Sequence, residues 1–154
     1  MTGASGALRR ALPFFVAAAV YVIAGGVLAA ATAYVTTQKT AWATAYIVLV
    51  GGVAQAVLGA ALGWLARHAS TRLVWPAFVL FNLGNLGVLA GQLSGLLALT
   101  FAGGALLVAA LILVILAARH REAAHPALLW TFRVLVVILA VSIPTGLILA
   151  AVGA

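Results

Sequence analysis

Apolar runs of about twenty residues follow one another along this chain, and its few charged residues sit singly or in pairs at the ends of those runs. A helix rises about 1.5 Å per residue and the hydrocarbon core of a bilayer is about 30 Å thick, so one crossing takes about 20 apolar residues. Of the 154 residues 67% are hydrophobic and 6% charged, whereas soluble domains carry roughly 25% charged residues. So few charges cannot cover a water-soluble surface. The chain therefore reads as all-α, an integral membrane bundle of about five transmembrane helices forming one domain over residues 1–154, with spans near 13–35, 41–66, 73–93, 96–118 and 134–152. Five crossings consume these residues and leave no length for a nucleotide-binding or hydrolytic module.

The connections carry the punctuation. Thr36-Thr37-Gln38-Lys39-Thr40 ends the first span, and Trp42 and Trp64 lie near the ends of the second, where indole rings favour the membrane interface. Trp75-Pro76 marks the start of the third, proline being tolerated in a first turn. Only Gly91-Gln92-Leu93-Ser94-Gly95 separates the third from the fourth, which predicts a very tight turn. Pro126, Trp130, Phe132 and Arg133 suggest a segment lying along the interface before the fifth span, which holds Pro144. Arg9 and Arg10 before an apolar run resemble a signal peptide, but the run exceeds an ordinary signal core of 7–15 residues. It is expected to be a retained first helix, with cleavage after Ala29-Ala30-Ala31 left open.

The formal charge of +7 sets eight Lys or Arg against one acid, Glu122. On a soluble protein this balance would suggest nucleic acid; here the basic residues flank the spans, where they meet lipid headgroups, and no nucleic-acid partner is expected. Arg9 and Arg10, then Arg67 and Arg72, then Arg119, Arg121 and Arg133 fall on alternate connections, with Lys39 alone on the other side. The positive-inside rule then predicts a cytoplasmic N-terminus and an outside C-terminus, and the membrane expected is a prokaryotic cytoplasmic one. With no cysteine, disulfides and thiolate chemistry are excluded. No span contains Asp or Glu, which argues against an ion-coupled carrier.

Asn82, Asn85 and Gln92 recur at three and seven residues, roughly one helical face, and an amide facing lipid would lack partners. With Gln55 they either glue helices together or line a polar cavity. Gly87, Gly91 and Gly95 repeat every four residues, as do Gly59 and Gly63 on the preceding helix, and small residues at this spacing let backbones approach. These two stripes are expected to pack against each other. His68, His120 and His125 fall in or near the basic connections. They read as solvated or headgroup-contacting, with a haem site through His68 and His120 as the alternative. No metal site is expected.

The block Val50-Gly51-Gly52-Val53-Ala54-Gln55-Ala56-Val57-Leu58-Gly59, followed by Trp64-Leu65-Ala66-Arg67, Trp75-Pro76 and Phe81-Asn82-Leu83-Gly84, resembles small membrane proteins related to haem-copper oxidase subunit I. The resemblance covers about half the chain and implies a related oxidase-like helical scaffold. Where that family has haem-ligating histidines, upstream of Gly51, this sequence has Thr44, Ala45 and Tyr46. Tyrosine can ligate haem iron, so Tyr46 joins His68 and His120 as a possible cofactor residue. The role expected is non-catalytic: an accessory or scaffold subunit of a membrane assembly, of respiratory type if the resemblance holds, in contact with lipid and with other membrane proteins or copies of itself. The alternatives are a small-molecule binding or transport protein with a cavity lined by Gln55, Asn82, Asn85 and Gln92, and a haem-binding electron carrier.

Overall fold

The computed structural model describes residues 2–64, 71–117, 130, 134, 136–139 and 141. Helix α1 (Thr2–Ala31) is followed by α2 (Gln38–Tyr46), which runs through a π-helical stretch (Ile47–Ala54) into α3 (Gln55–Trp64); α4 (Thr71–Ser94) and α5 (Leu97–Ala117) complete the order. Four stretches among the described residues are long and apolar enough to cross a membrane: Leu8–Ala31, Gln38–Gly63, Arg72–Ser94 and Leu97–Ala117. The second is the continuous rod formed by α2, the π stretch and α3. This is a multi-pass membrane protein, with Ile23, Val27, Leu49, Val53, Leu86 and Ile112 among the large apolar side chains on its outer surface. In water such a surface would drive aggregation; in a bilayer it faces acyl chains.

Several limits differ from those expected. Helix α1 begins at Thr2, because the Ala, Leu and Arg residues before Pro13 are good helix formers, and Pro13 falls inside it. It ends at Ala31, four residues before the expected limit, and the chain turns as Thr32 and Thr36 bond back to the carbonyls of Leu28 and Thr32, each at 2.8 Å. The rod starts at Gln38 because Thr37 caps it: its hydroxyl accepts from the Thr40 N–H, while the Thr40 hydroxyl receives the Thr37 N–H at 2.9 Å, a reciprocal capping box. Pro76 sits in the second turn of α4 rather than the first.

The turn between α4 and α5 is as tight as the sequence suggests. Gly95 adopts φ +75°, a left-handed conformation that costs glycine little, and the Leu96 N–H donates to the Gly91 carbonyl at 2.9 Å. This six-to-one bond defines a Schellman cap, and α5 begins one residue later.

The helices pair as two hairpins. Helix α1 lies along the rod, α4 lies along α5, and contact between the hairpins is sparse. The apolar core joins them: Phe14 of α1, Leu58 and Leu62 of α3, Val74, Ala77 and Phe81 of α4, and Leu107 and Val114 of α5 are buried together. Of the expected fifth span, 134–152, the described positions 134, 136–139 and 141 are helical, and Leu139 belongs to this core. The remainder of that span, and the interfacial segment expected before it apart from the helical Trp130, lie outside the described residues.

The glycine stripes do not face each other. A Cβ at Gly59 would meet Cβ of Phe14 at 2.7 Å, so that stripe receives α1. A Cβ at Gly87 would meet Cα of Gly103 at 3.0 Å, and one at Gly91 would strike Thr100, so the other stripe receives α5. Each hairpin closes on its own small residues, because a short connection brings consecutive antiparallel helices together first. Gly63 is buried, whereas Gly95 forms the turn and packs against no helix.

Candidate functional site

The polar side chains inside the spans are the groups from which a site could be built. Asn85, on α4, is fully buried, and its Oδ1 accepts a hydrogen bond from the Tyr46 hydroxyl at 2.9 Å. Its Nδ2 donates to the Phe81 carbonyl at 2.9 Å, one turn back on its own helix. Tyr46 is the last residue of α2, and its ring stacks on that of Trp42 at a centroid distance of 5.1 Å. The pair thus connects the rod of the first hairpin to α4 of the second through groups held at both ends.

Antiparallel geometry explains why these two residues meet. Tyr46 lies eight residues after the start of the second span at Gln38, and Asn85 lies nine residues before the end of the third at Ser94. At about 1.5 Å per residue both are about 12–14 Å in from the same side. The sequence supplies Tyr46 as a possible haem ligand but not as this bond donor; comparing depths in neighbouring antiparallel spans is the signal that would have found it.

The other amides behave differently. Asn82 is half-buried and its Nδ2 donates to the Phe78 carbonyl at 2.8 Å, so it is used within its own helix. Gln92 is half-buried too, seven residues from Asn85. Gln55 is fully buried at the start of α3, and neither its Oε1 nor its Nε2 has a hydrogen-bond partner in the protein. The structure therefore does not gather Gln55, Asn82, Asn85 and Gln92 through mutual hydrogen bonds: one is bonded across hairpins, one along its helix, and one is buried without a protein partner. Thr100, which sequence reasoning passed over, is also buried and bonds weakly back to the Leu96 carbonyl at 3.4 Å.

Gln55 follows the π-helical stretch directly. There Gly51 and Gly52 are buried beneath Tyr21 and Val22 of α1: a Cβ at Gly51 would meet the Tyr21 ring at 2.5 Å and one at Gly52 the Val22 side chain at 2.6 Å. Wide helical turns of this kind recur at functional positions. As for haem, His68, His120 and His125 lie outside the described residues, and the Tyr46 hydroxyl is engaged as a donor to Asn85. A tyrosinate ligand has no proton to donate, so binding iron through this oxygen would require giving up that bond.

No protein family model, curated protein or solved structure matches this chain.

Proposed function

We propose that this chain is a non-catalytic accessory or scaffold subunit of a larger membrane assembly. The observation that carries the reading is the Tyr46–Asn85 hydrogen bond: a buried amide and a half-buried hydroxyl hold two hairpins together rather than line a path. Support for a partner comes from the outer face of α1, where a Cβ at Gly26 would meet nothing and Ala30 is exposed one turn on, a surface shallow enough for another membrane helix to approach. Five spans, with the N-terminus cytoplasmic and the C-terminus outside, belong to this proposal, since Arg9, Arg10 and Arg72 gather at one end of the bundle.

Extraction in mild detergent followed by size-exclusion and identification of copurifying membrane proteins tests it. The expected result is a stoichiometric membrane partner that Gly26→Leu releases while leaving the chain folded. A chain that elutes alone from native membranes would overturn the proposal. A Soret band at one haem per chain, lost on replacing His68 or His120, would establish the electron-carrier reading instead.

A second reading, a small-molecule binding protein, is favoured by Gln55, because a buried amide with both ends unpaired is costly unless something completes it. A water or the polar end of a ligand would do so.

A further inference from the structure

Gln55 is wholly buried, and its enclosed amide oxygen and nitrogen have no hydrogen-bond partner in the protein. Its orientation on the rod follows from the glycines on either side. Gly51 and Gly52, one turn before it, receive Tyr21 and Val22 of α1, and Gly59, one turn after it, receives Phe14. Residues one turn apart share a helical face, so Gln55 faces α1 as well. Helical side chains lean over the turn that precedes them, which carries the Gln55 amide toward the level of Gly51 and Gly52. Tyr21 comes from an antiparallel helix and leans the opposite way, toward the level of Gln55. One edge of its ring is seated on Gly51, where a Cβ would lie 2.5, 2.7 and 3.0 Å from Cδ1, Cγ and Cε1. The ring and the unpaired amide thus meet over one turn of the rod.

The surroundings set the chemistry of what fits in place of that ring. Tyr21 lies ten residues before the end of its span at Ala31, about 15 Å inside the membrane. No Asp, Glu, Lys or Arg occurs within ten residues of Tyr21 or Gln55 in the sequence, so a charged ligand would find no counter-charge there. Ala18 on α1 and Ala54 and Leu58 beside Gln55 are buried and apolar. An amide with both ends unpaired asks for a donor and an acceptor together, and a single hydroxyl supplies both. Tyr21 is half-buried and flanked by the exposed Val20, Val22 and Ile23, so its ring has open hydrocarbon to turn into.

We propose, on the reading of the chain as a small-molecule binding protein, that the place held by the Tyr21 ring is a site for one neutral, lipid-soluble phenol. Its ring takes the seat on Gly51, its hydroxyl bonds the Gln55 amide, and Tyr21 turns outward into lipid. A phenol fits because the seat already holds one, the side chain of Tyr21 itself. The ligand enters from the bilayer, since the seat lies at mid-depth. The unpaired amide raises the free energy of the unliganded chain, and the bound hydroxyl recovers that cost.

The test is photolabelling of the full chain in lipid nanodiscs with a phenol bearing a trifluoromethyldiazirine, the labelled residues being located by mass spectrometry. Label is expected on Tyr21 or between Gly51 and Gln55. Its suppression by 4-propylphenol should need about one-tenth the concentration required of propylbenzene, the scale of one neutral hydrogen bond, and severalfold less than 4-propylcyclohexanol. Gln55→Met removes the preference over propylbenzene, and Tyr21→Ala, which vacates the seat, raises labelling severalfold. Label confined to other residues, equal competition by propylbenzene, a preference kept in Gln55→Met, or unchanged labelling in Tyr21→Ala would each overturn the site. Equal competition by 4-propylcyclohexanol would overturn the phenol and leave the small-molecule reading standing, whereas labelling that is absent, or that none of the three suppresses, would overturn both. Should either variant not fold, the position of the wild-type label and the order of its competitors decide.

Discussion

At the scale of single residues, Tyr46 and Asn85 illustrate how a polar group is accommodated where no water competes. Hydrogen bonds between membrane helices are typically worth about 0.6 kcal/mol and seldom exceed about 2 kcal/mol, because the separated helices find other partners. Tyr46→Phe is therefore expected to lower stability by about 1 kcal/mol, and Asn85→Ala by somewhat more because it also empties space. The two effects should be less than additive in a double-mutant cycle read by denaturant unfolding in detergent. Additive losses would show that the hydroxyl and amide do not share a bond. Gln55 calls for the opposite experiment. Gln55→Met keeps the length of the side chain and removes both unpaired atoms, so the variant should be at least as stable as the parent in the same assay. A loss above about 1 kcal/mol would show that the native amide is completed by a bound water or ligand. The inward character of Asn85 was legible from its spacing to Asn82 and Gln92, since shared helical phase is a property of one segment. Its partner was not, because a bond across helices depends on depth and pairing, which no single segment encodes.

Among the elements, close helix approach divides glycines that must be small from those that need not be. A Cβ at Gly84 would sit 2.9 Å from the Gly103 carbonyl oxygen and 2.9 Å from the Leu107 backbone nitrogen, neither of which can rotate aside. Gly84→Ala should separate α4 from α5 and cost about 1–3 kcal/mol, the usual scale of overpacking. Gly87→Leu and Gly91→Leu should cost at least as much. Gly26→Ala should leave stability within about 0.5 kcal/mol of the parent, because its surroundings are open. Thermal unfolding of the four variants in one detergent checks the order, and similar melting of Gly84→Ala and Gly26→Ala would contradict the tight α4–α5 contact. The four described spans could be read from the apolar runs to within a few residues, except where helix-forming residues carried α1 back to Thr2. The π-helical stretch could not. Ile47–Ala54 is apolar throughout, and a run without polar residues has no phase from which the winding could be inferred. The glycine stripes announced close approach but not the partner, since a small residue admits any neighbouring helix.

For the whole molecule, the two-hairpin arrangement places Arg9 and Arg72 at one end and Lys39 at the other. The chain has no native cysteine, so single-cysteine variants give an unambiguous readout. In oriented membranes Arg72→Cys should react with a membrane-impermeant maleimide only from the cytoplasmic side and Lys39→Cys only from outside. Labelling of both from the same side would contradict an odd number of crossings between them. A compartment-sensitive reporter fused after Ala154 should read outside if residues 134–152 complete a fifth crossing. The wide winding in the rod has a further consequence, for how the protein matches its bilayer. The second span holds 26 residues and the fourth 21; wound entirely as α-helix they would measure about 39 Å and about 31 Å. Against a hydrocarbon slab about 30 Å thick, the longer one would have to lean or thicken the lipid around it. Hydrogen bonds from residue i to i+5 place more residues in each turn and so shorten the rod for a given residue count. The π-helical stretch therefore works as a take-up in the helix, trading length for girth so that unequal segments stand side by side in a membrane of one thickness.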